Sequence, residues 1–459
     1  MSLEGAIAAH RFGLGARPGE VDAASSNPKG WLLSQISSPA DQPRPLGGDS
    51  LKDGGALVAE MIQYQRERAL ARKEGGQEAD PVKAFFKDRV GLYMKEMSAR
   101  FALGFTTERP FAERIVRFWS NHFVVSAQNP RATTLVGAFE REAIRPNIHL
   151  GFEDMLLAAM THPAMLLYLD NAQSVGPDSR GGMISGKGLN ENLGRELMEL
   201  YTLGVDGGYG QDDVIAMAKL LTGWTIDRRG GGENGFAYVQ AIHEPGDVVL
   251  RGKRYPSGRD GTVEAIKDLA RDPATARHVA RKFATHFVSD NPTPETCARL
   301  ENSFHRTGGS LRALAEAAID EKQAWRPEPI KMRTPVEYVT AAFRFLGWPK
   351  DGDQRKQVQA AMAATRVMGE FPLSAPAPKG WPDTSDAWSG PDAILNRIEW
   401  AKALGDRLPR SFSAAQTAAF APSVVGPLVQ AGTLAAMRSA ASAGEAVALL
   451  FSSPEFQRR

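Results

Sequence analysis

From Leu189 to Trp224 the chain reads LNENLGRELMELYTLGVDGGYGQDDVIAMAKLLTGW, and its hydrophobic and polar positions predict helix, turn, helix. Leu189, Leu193, Leu197 and Leu200 recur at helical spacing, with Met198 and Tyr201 widening the apolar arc. Asn192, Arg195, Glu196 and Glu199 fall at i, i+3, i+4 and i+7 and form one polar stripe beside it. About half the circumference is apolar, which predicts a deeply embedded helix with its charges held on one narrow edge. Arg195 and Glu199 are also i, i+4 partners, and such pairs decorate solvated faces for a few tenths of a kcal/mol. Asn190 suits a helix start, whereas Asn192 is a poor interior residue sharing the edge with Arg195 and Glu196.

The N-terminal stretch holds a Gly-rich turn, RFGLGARPGEV, followed by a short helical pattern through Trp31, Leu32 and Ile36. Its GLG lacks a preceding strand and a third spaced glycine, so it reads as a tight turn and not a dinucleotide loop. Residues 38–55 have linker composition, and Met61 to Phe105 predicts two long charged helices. Pro110 to Phe123 is a well-signed helix with proline in its first turn and Phe111, Ile115, Phe118 and His122 at helical spacing. His122 on that apolar face is either a packed core histidine or, since imidazole titrates near neutrality, an acid/base or metal ligand flanked by Arg117 and Asn121. A helix over Thr134 to Arg145 carries Glu140, Arg141, Glu142 and Arg145 and is halted by Pro146. Phe152 to Tyr168 breaks at His162-Pro163 and leads to Asp170 and Asn171, which either reach into the core or cap a turn. The Gly- and Ser-rich loop 173–188 suits a lid or a plain surface loop. Its GGMISGKG has the wrong spacing for a phosphate-binding loop and no hydroxyl after the lysine, so ATP is not expected.

After Trp224, β-branched and alternating residues between Gly and Pro signals predict a β-hairpin near 236–256 projecting from the helical body. His243 and Glu244 are expected exposed in its turn region. In ARHVARKFATHF, Val279, Phe283 and Phe287 point inward and Arg281 and Lys282 outward. His278 and His286 lie eight apart, which is not metal spacing, and no HExxH occurs. Helices are predicted for Gly308 to Trp325 and Pro335 to Leu346, with Lys331 and Arg333 just before the second. From 368 the proline and tryptophan content predicts an ordered loop wrapping a surface, with Trp381 and Trp388 covered, and then alanine-rich helices to the end. The fold class is therefore mainly α. The expected organisation is an N-terminal turn and helix (1–40), a helical core with a polar site (41–225), a hairpin insertion (226–260), a helical second half (261–367), and a Pro/Trp-rich loop with C-terminal helices (368–459).

The chain has 459 residues, long enough for several domains or one large helical body. With 42% hydrophobic and 24% charged residues, neither disorder nor a membrane span is implied, and no apolar run approaches roughly 18 residues. A net charge of +2 without a run of like charges gives no footprint for nucleic acid. Cys297 is the single cysteine, which excludes an intramolecular disulfide and thiolate clusters, and its surroundings predict a buried helical position. The lack of CxxCH excludes c-type haem attachment. The first residues do not form a secretory signal, so a cytoplasmic protein is expected, with periplasmic placement through a co-exported partner as the alternative.

RFGLGARPGEV, RIVRFWSNHFVVS, FEREAIRPN, HPAMLLYLDNAQS, GLNENLGRELMELYTLGVDGGY, DVIAMAKLLTGW, ARKFATHFVSDNP, KMRTPVEYV and KGWPD with its following AW, taken in order, resemble the bacterial domain-of-unknown-function family 1800. The resemblance covers most of the chain and implies a large, mostly helical fold. It also implies a partner: such proteins are often encoded beside family 1501, which resembles phosphatase- or sulfatase-type hydrolases and commonly carries a twin-arginine export signal. Tyr201 stands where the family commonly has histidine, and Gly210 where threonine is usual. The first departure weakens schemes in which that position binds metal or moves protons.

Two functions follow as expectations. In the first, an enzyme gathers His122, Asp170, Arg195, Glu196 and Glu199 as catalytic groups, with Asn121, Asn171, Asn190 and Asn192 binding substrate. Acid/base or metal-assisted chemistry, including hydrolysis, would follow, because buried charges persist only when paired or employed. The Glu-x-x-His pattern of di-iron bundles is absent. In the second, the polar network is structural and the chain is a binding or maturation subunit acting with a family-1501 partner.

Overall fold

A computed structural model describes residues 1–48, 50–73, 79–230, 232–347, 354–407 and 413–459. The fold is mainly α-helical, with two small antiparallel strand pairs. Among the described residues no helix is long and apolar enough to cross a membrane.

Proline and a polar cap start the helices that matter most. Pro110 opens Pro110–His122, and Asp272 caps Pro273–Phe287 by accepting from the Ala274 N–H. Thr334 and Glu337 form a reciprocal capping box on Pro335–Leu346. Proline loses nothing at a first turn whose N–H has no helical acceptor. Pro110–His122 is buried on almost every face and packs on Pro273–Phe287 through Phe118 against Phe283, ring centres 5.1 Å apart, and Phe111 against Phe287 at 5.8 Å. One cluster of buried apolar side chains runs from Ala6 to Phe456.

The C-terminal helices close onto this body by near approach of backbones. Pro391–Gly405 and Ala443–Ser452 cross at Gly405 and Gly444, where a Cβ on either would meet the carbonyl oxygen of the other at 2.3 Å. The final residues thread inward, with Lys331 and Arg459 exchanging backbone hydrogen bonds at 3.1 and 2.8 Å.

The interior is also stitched by arginines. Arg145 sits between Glu113 and Glu140, 2.7 Å from each, and Arg100 Nε donates to Glu140 at 2.8 Å. Arg344 donates to Glu20 and to the Gly15 carbonyl. These buried guanidinium groups pair with carboxylates and a carbonyl that burial would otherwise leave unpaired.

The strand region expected after Trp224 is present: β1 (Trp224–Ile226) pairs with β2 (Phe236–Tyr238), Trp224 opposite Tyr238, and β3 (Val248–Leu250) with β4 (Lys253–Tyr255) makes the hairpin, Val248 opposite Tyr255. Three points differ from the sequence reading. His243 and Glu244 are buried, because the link after β2 folds over the end of helix Gln211–Leu221. There the His243 Nδ1–H donates to the Thr222 carbonyl at 2.7 Å, and Glu244 pairs with Lys219 at 3.2 Å. The loop 173–188 contains a short helix, Arg180–Ser185, capped by Ser179. Cys297 is only half-buried in its helix.

Candidate functional site

The C-terminal half of Pro110–His122 presents Arg117, Ser120 and Asn121 along one side and His122 with Phe118 on the adjoining one, and Pro273–Phe287 brings Lys282 and His286 against it. The Pro/Trp-rich loop is laid across both. Its position is set by Asn121, whose Nδ2 donates to the Trp381 carbonyl at 2.9 Å while its Oδ1 accepts from the Trp381 N–H at 2.8 Å. Gly380 makes the approach possible: its φ is +85°, and a Cβ there would meet the Asn121 carbonyl oxygen at 2.5 Å.

Two hollows adjoin at this clamp and share Asn121, Trp381, Pro382 and Asp383. The inner one, about 80 Å³, is lined by Arg117, Ser120, His286, Glu337 and Glu370; the outer, about 300 Å³, by His122 and Lys282, with Lys379 at its rim. Buried polar atoms without a hydrogen-bond partner among the described residues converge here: Arg117 Nε, His122 Nδ1, His286 Nε2 and Trp381 Nε1. Buried polar atoms are ordinarily paired, so such a concentration marks a place that receives water or ligand groups.

His286 and Asp383 form the chemical centre. The His286 Nδ1–H donates to the carboxylate, with both oxygens 2.9 Å away, so in the neutral ring the lone pair is on Nε2. Burial opposes ionisation of Asp383, but His286 and Lys331 outweigh it and hold the acid down to about 2. Burial, aided by Arg114 and Arg459 and opposed by Asp383, lowers His286 to about 4. At neutral pH the pair is therefore carboxylate and uncharged imidazole.

The carboxyls behind it are split by their surroundings. Burial pushes Glu370 up to about 7, even though it accepts from the Val336 N–H at 2.8 Å, and Glu337 adds to the rise. Burial acts the same way on Glu337, but Arg114 and Arg459 overwhelm it and hold that acid far below the usual range. Carboxyls driven apart in this way are suited to different proton-transfer roles. Ser120 and Arg100 join the inner wall to the Arg145 network, since both donate to Glu140, at 2.9 and 2.8 Å. Among the described residues no three His, Cys, Asp or Glu side chains converge as a metal-binding set.

Of the residues picked from sequence, Asn121 and His122 line these hollows. His122 is buried, and its Nε2–H donates to the Tyr201 carbonyl at 3.1 Å. Burial, then Lys282 and His278, push its pKa well below the ordinary value. The others lie in different settings. Asp170 pairs with Arg131 and accepts from Gln173 at 3.1 Å. Asn171 is buried and ties the Leu221 and Trp224 carbonyls, at 3.1 and 2.9 Å, to the turn before it. Asn190 Oδ1 accepts from the N–H of the exposed Asn192 at 3.0 Å and starts the helix. Arg195 donates to Glu191 and Gln211 at 3.1 and 2.9 Å. Glu196 and Glu199 are half-buried beside each other, and burial followed by Glu199 raises the Glu196 pKa.

The reason is local. Asn192–Glu196 is α-helical, but Leu197–Tyr201 is a π-helical turn, so the wheel that aligned the polar stripe holds for only one turn. The segment reaches the hollows through the backbone of Tyr201, not through its carboxylates. Sequence reasoning placed Lys282 outward and left His286, Asp383, Glu337 and Glu370 unassigned. Lys282 is half-buried instead, because residues 379–383 cover that side of its helix. The KGWPD segment was visible as unusual and Pro273–Phe287 as helical; that the one covers the other was not.

The family model described as Protein of unknown function (DUF1800) matches residues 7–458. No curated protein and no solved structure matches the chain.

Proposed function

The chain belongs to the DUF1800 family, and from its site we propose an enzyme that performs acid–base chemistry at His286, with Asp383 orienting the ring. The observation that carries this reading is the buried His286 Nε2, which has no hydrogen-bond partner among the described residues, opposite an Nδ1 held by a carboxylate. A neutral imidazole presents that lone pair throughout the neutral range, and Asp383 stabilises the imidazolium as it forms. Glu370, balanced near neutrality, supplies the complementary proton. Proton abstraction and hydrolysis both need this pairing of base and acid. The test uses the full chain against chromogenic carboxyl, phosphate and sulfate esters, together with complementation of a gene deletion. His286→Gln and Asp383→Asn are expected to keep the fold and lower turnover by about 10²–10⁴. Variants that complement as well as the unaltered chain would refute the reading.

A second reading is a binding or maturation subunit acting with a hydrolase-like family-1501 protein. It is favoured by Met183 and Ile184, 73% and 77% exposed on the helix Arg180–Ser185. Adjacent large apolar side chains in water are what a partner would cover. Met183→Ser with Ile184→Ser should abolish co-purification of the two proteins and leave the melting temperature unchanged; unimpaired co-purification would exclude this surface.

A further inference from the structure

The outer hollow contains a group that the acid–base reading does not use. Lys282 lies one turn before His286 on Pro273–Phe287 and lines the hollow with Phe118, Asn121, His122, Trp381 and Asp383. Lysine usually carries its ammonium into water. Lys282 is half-buried, and it makes no hydrogen bond or ion pair among the described residues.

The groups facing it favour the uncharged amine. His122 and His278 stand on the near side, each with its Nε2–H committed to a carbonyl, of Tyr201 at 3.1 Å and Leu200 at 3.0 Å. Both rings feel the charge of Lys282 and are themselves pushed toward neutrality. Lys379 adds a further cation at the rim. Among the described residues the opposing charge is Asp383, whose carboxylate is already engaged by His286. Burial prevails over Asp383 and brings the Lys282 pKa from 10.5 down to about 8. An amine desolvated beside Phe118, Trp381 and Pro382 is in a setting that makes lysine nucleophilic. His122 Nδ1, a buried lone pair without a hydrogen-bond partner among the described residues, lies in the same wall.

We propose that Lys282 is a nucleophilic amine and that the outer hollow takes compounds bearing an aldehyde or ketone carbonyl, held as an imine on Nζ. The amine lone pair forms a C–N bond to the carbonyl carbon while the C=O π pair moves to oxygen, which takes a proton. Nζ gives up a proton to His122 Nδ1. The carbinolamine hydroxyl takes the proton back from His122 and leaves as water while the remaining nitrogen lone pair forms the C=N bond, and the iminium N–H then passes to solvent water, replacing the proton the oxygen first took. Amine and carbonyl become imine and water, with no redox partner. The role of His286 is not required for this step.

The experiment traps the imine on the full chain. Protein is incubated with glycolaldehyde or pyruvate, reduced with sodium cyanoborohydride, and digested for peptide mass mapping. Lys282 is expected to carry the dominant adduct in the folded chain, with a labelling rate that rises around pH 8 instead of near 10.5. Lys282→Arg should remove that adduct, and His122→Gln should slow its formation by roughly a hundredfold. Mapping of the unaltered chain decides the matter even if a variant fails to fold. Labelling spread over exposed lysines such as Lys379, or Lys282 reacting no faster folded than in urea, would overturn the proposal. Loss of activity in His286→Gln with intact Lys282 trapping, or the reverse, separates the two readings.

Discussion

His286 Nδ1 stands 2.9 Å from both carboxylate oxygens of Asp383, across 97 residues of sequence. The bond joins a helix of the middle region to the loop that covers it. It also leaves the other ring nitrogen as a buried lone pair.

Asp383→Asn should weaken this junction in a pH-dependent way. The folded acid, at about 2, lies below its ordinary 3.8, so its contribution is present above 3.8 and is lost as pH falls through 2. At pH 7 the variant should be less stable by about 2 kcal/mol, an order of magnitude taken from the shift. Urea unfolding at pH 7 and pH 2.5 measures it; an equal loss at both values would contradict the assignment.

Glu370→Gln should act in the opposite sense. Its acid is raised to about 7 from 4.5, so the native state tolerates the neutral form, and stability is lost as pH rises through 7. The variant should match the parent near pH 4.5 and be more stable above pH 8, by up to about 3 kcal/mol. No gain at alkaline pH would show that Glu370 is ionised without penalty.

The neutral histidines make the fold acid-labile. His286 and His278 are lowered to about 4 and His10 to about 3, from 6.5, chiefly by burial. The unfolded chain then binds more protons between pH 6.5 and 4, so melting temperature should fall steadily across that window. Calorimetry that finds a flat profile there would refute the neutral state of these rings.

Arg145→Met removes the cation between Glu113 and Glu140 and leaves two buried carboxylates with less compensation. Breaking one side of a buried ion network costs about 3–5 kcal/mol. A loss below about 1 kcal/mol in chemical denaturation would mean that water reaches the pair.

Gly380→Ala should displace the covering loop, since its Cβ would press on Asn121 in a left-handed conformation. A destabilisation of about 1–3 kcal/mol is expected. Trp381 should then become more accessible to fluorescence quenchers, and unchanged quenching would show that the loop is held elsewhere.

Much of the helical skeleton was legible in the residues themselves. Pro110, Pro335 and the apolar period of Phe111, Ile115 and Phe118 announce helices that the structure contains, and the break read at His162-Pro163 separates two of them. The burial of His122 also followed from its place on that face. The stripe of Asn192, Arg195, Glu196 and Glu199 was harder, because a π-helical turn changes the spacing without a residue type that declares it. Lys282 looked solvated for a related reason: its own helix period contains no information about residues 379–383.

By itself the sequence determined where helices start, which faces are apolar, and the family to which the chain belongs. Those properties arise from local backbone preferences and from side chains a few residues apart. Only the tertiary structure decided that Asp383 meets His286, that Asn121 clamps Trp381, and that Lys282 lies beneath the loop. The physical reason is that burial and electrostatic field belong to a place in space, and here that place is assembled from segments brought together only by packing.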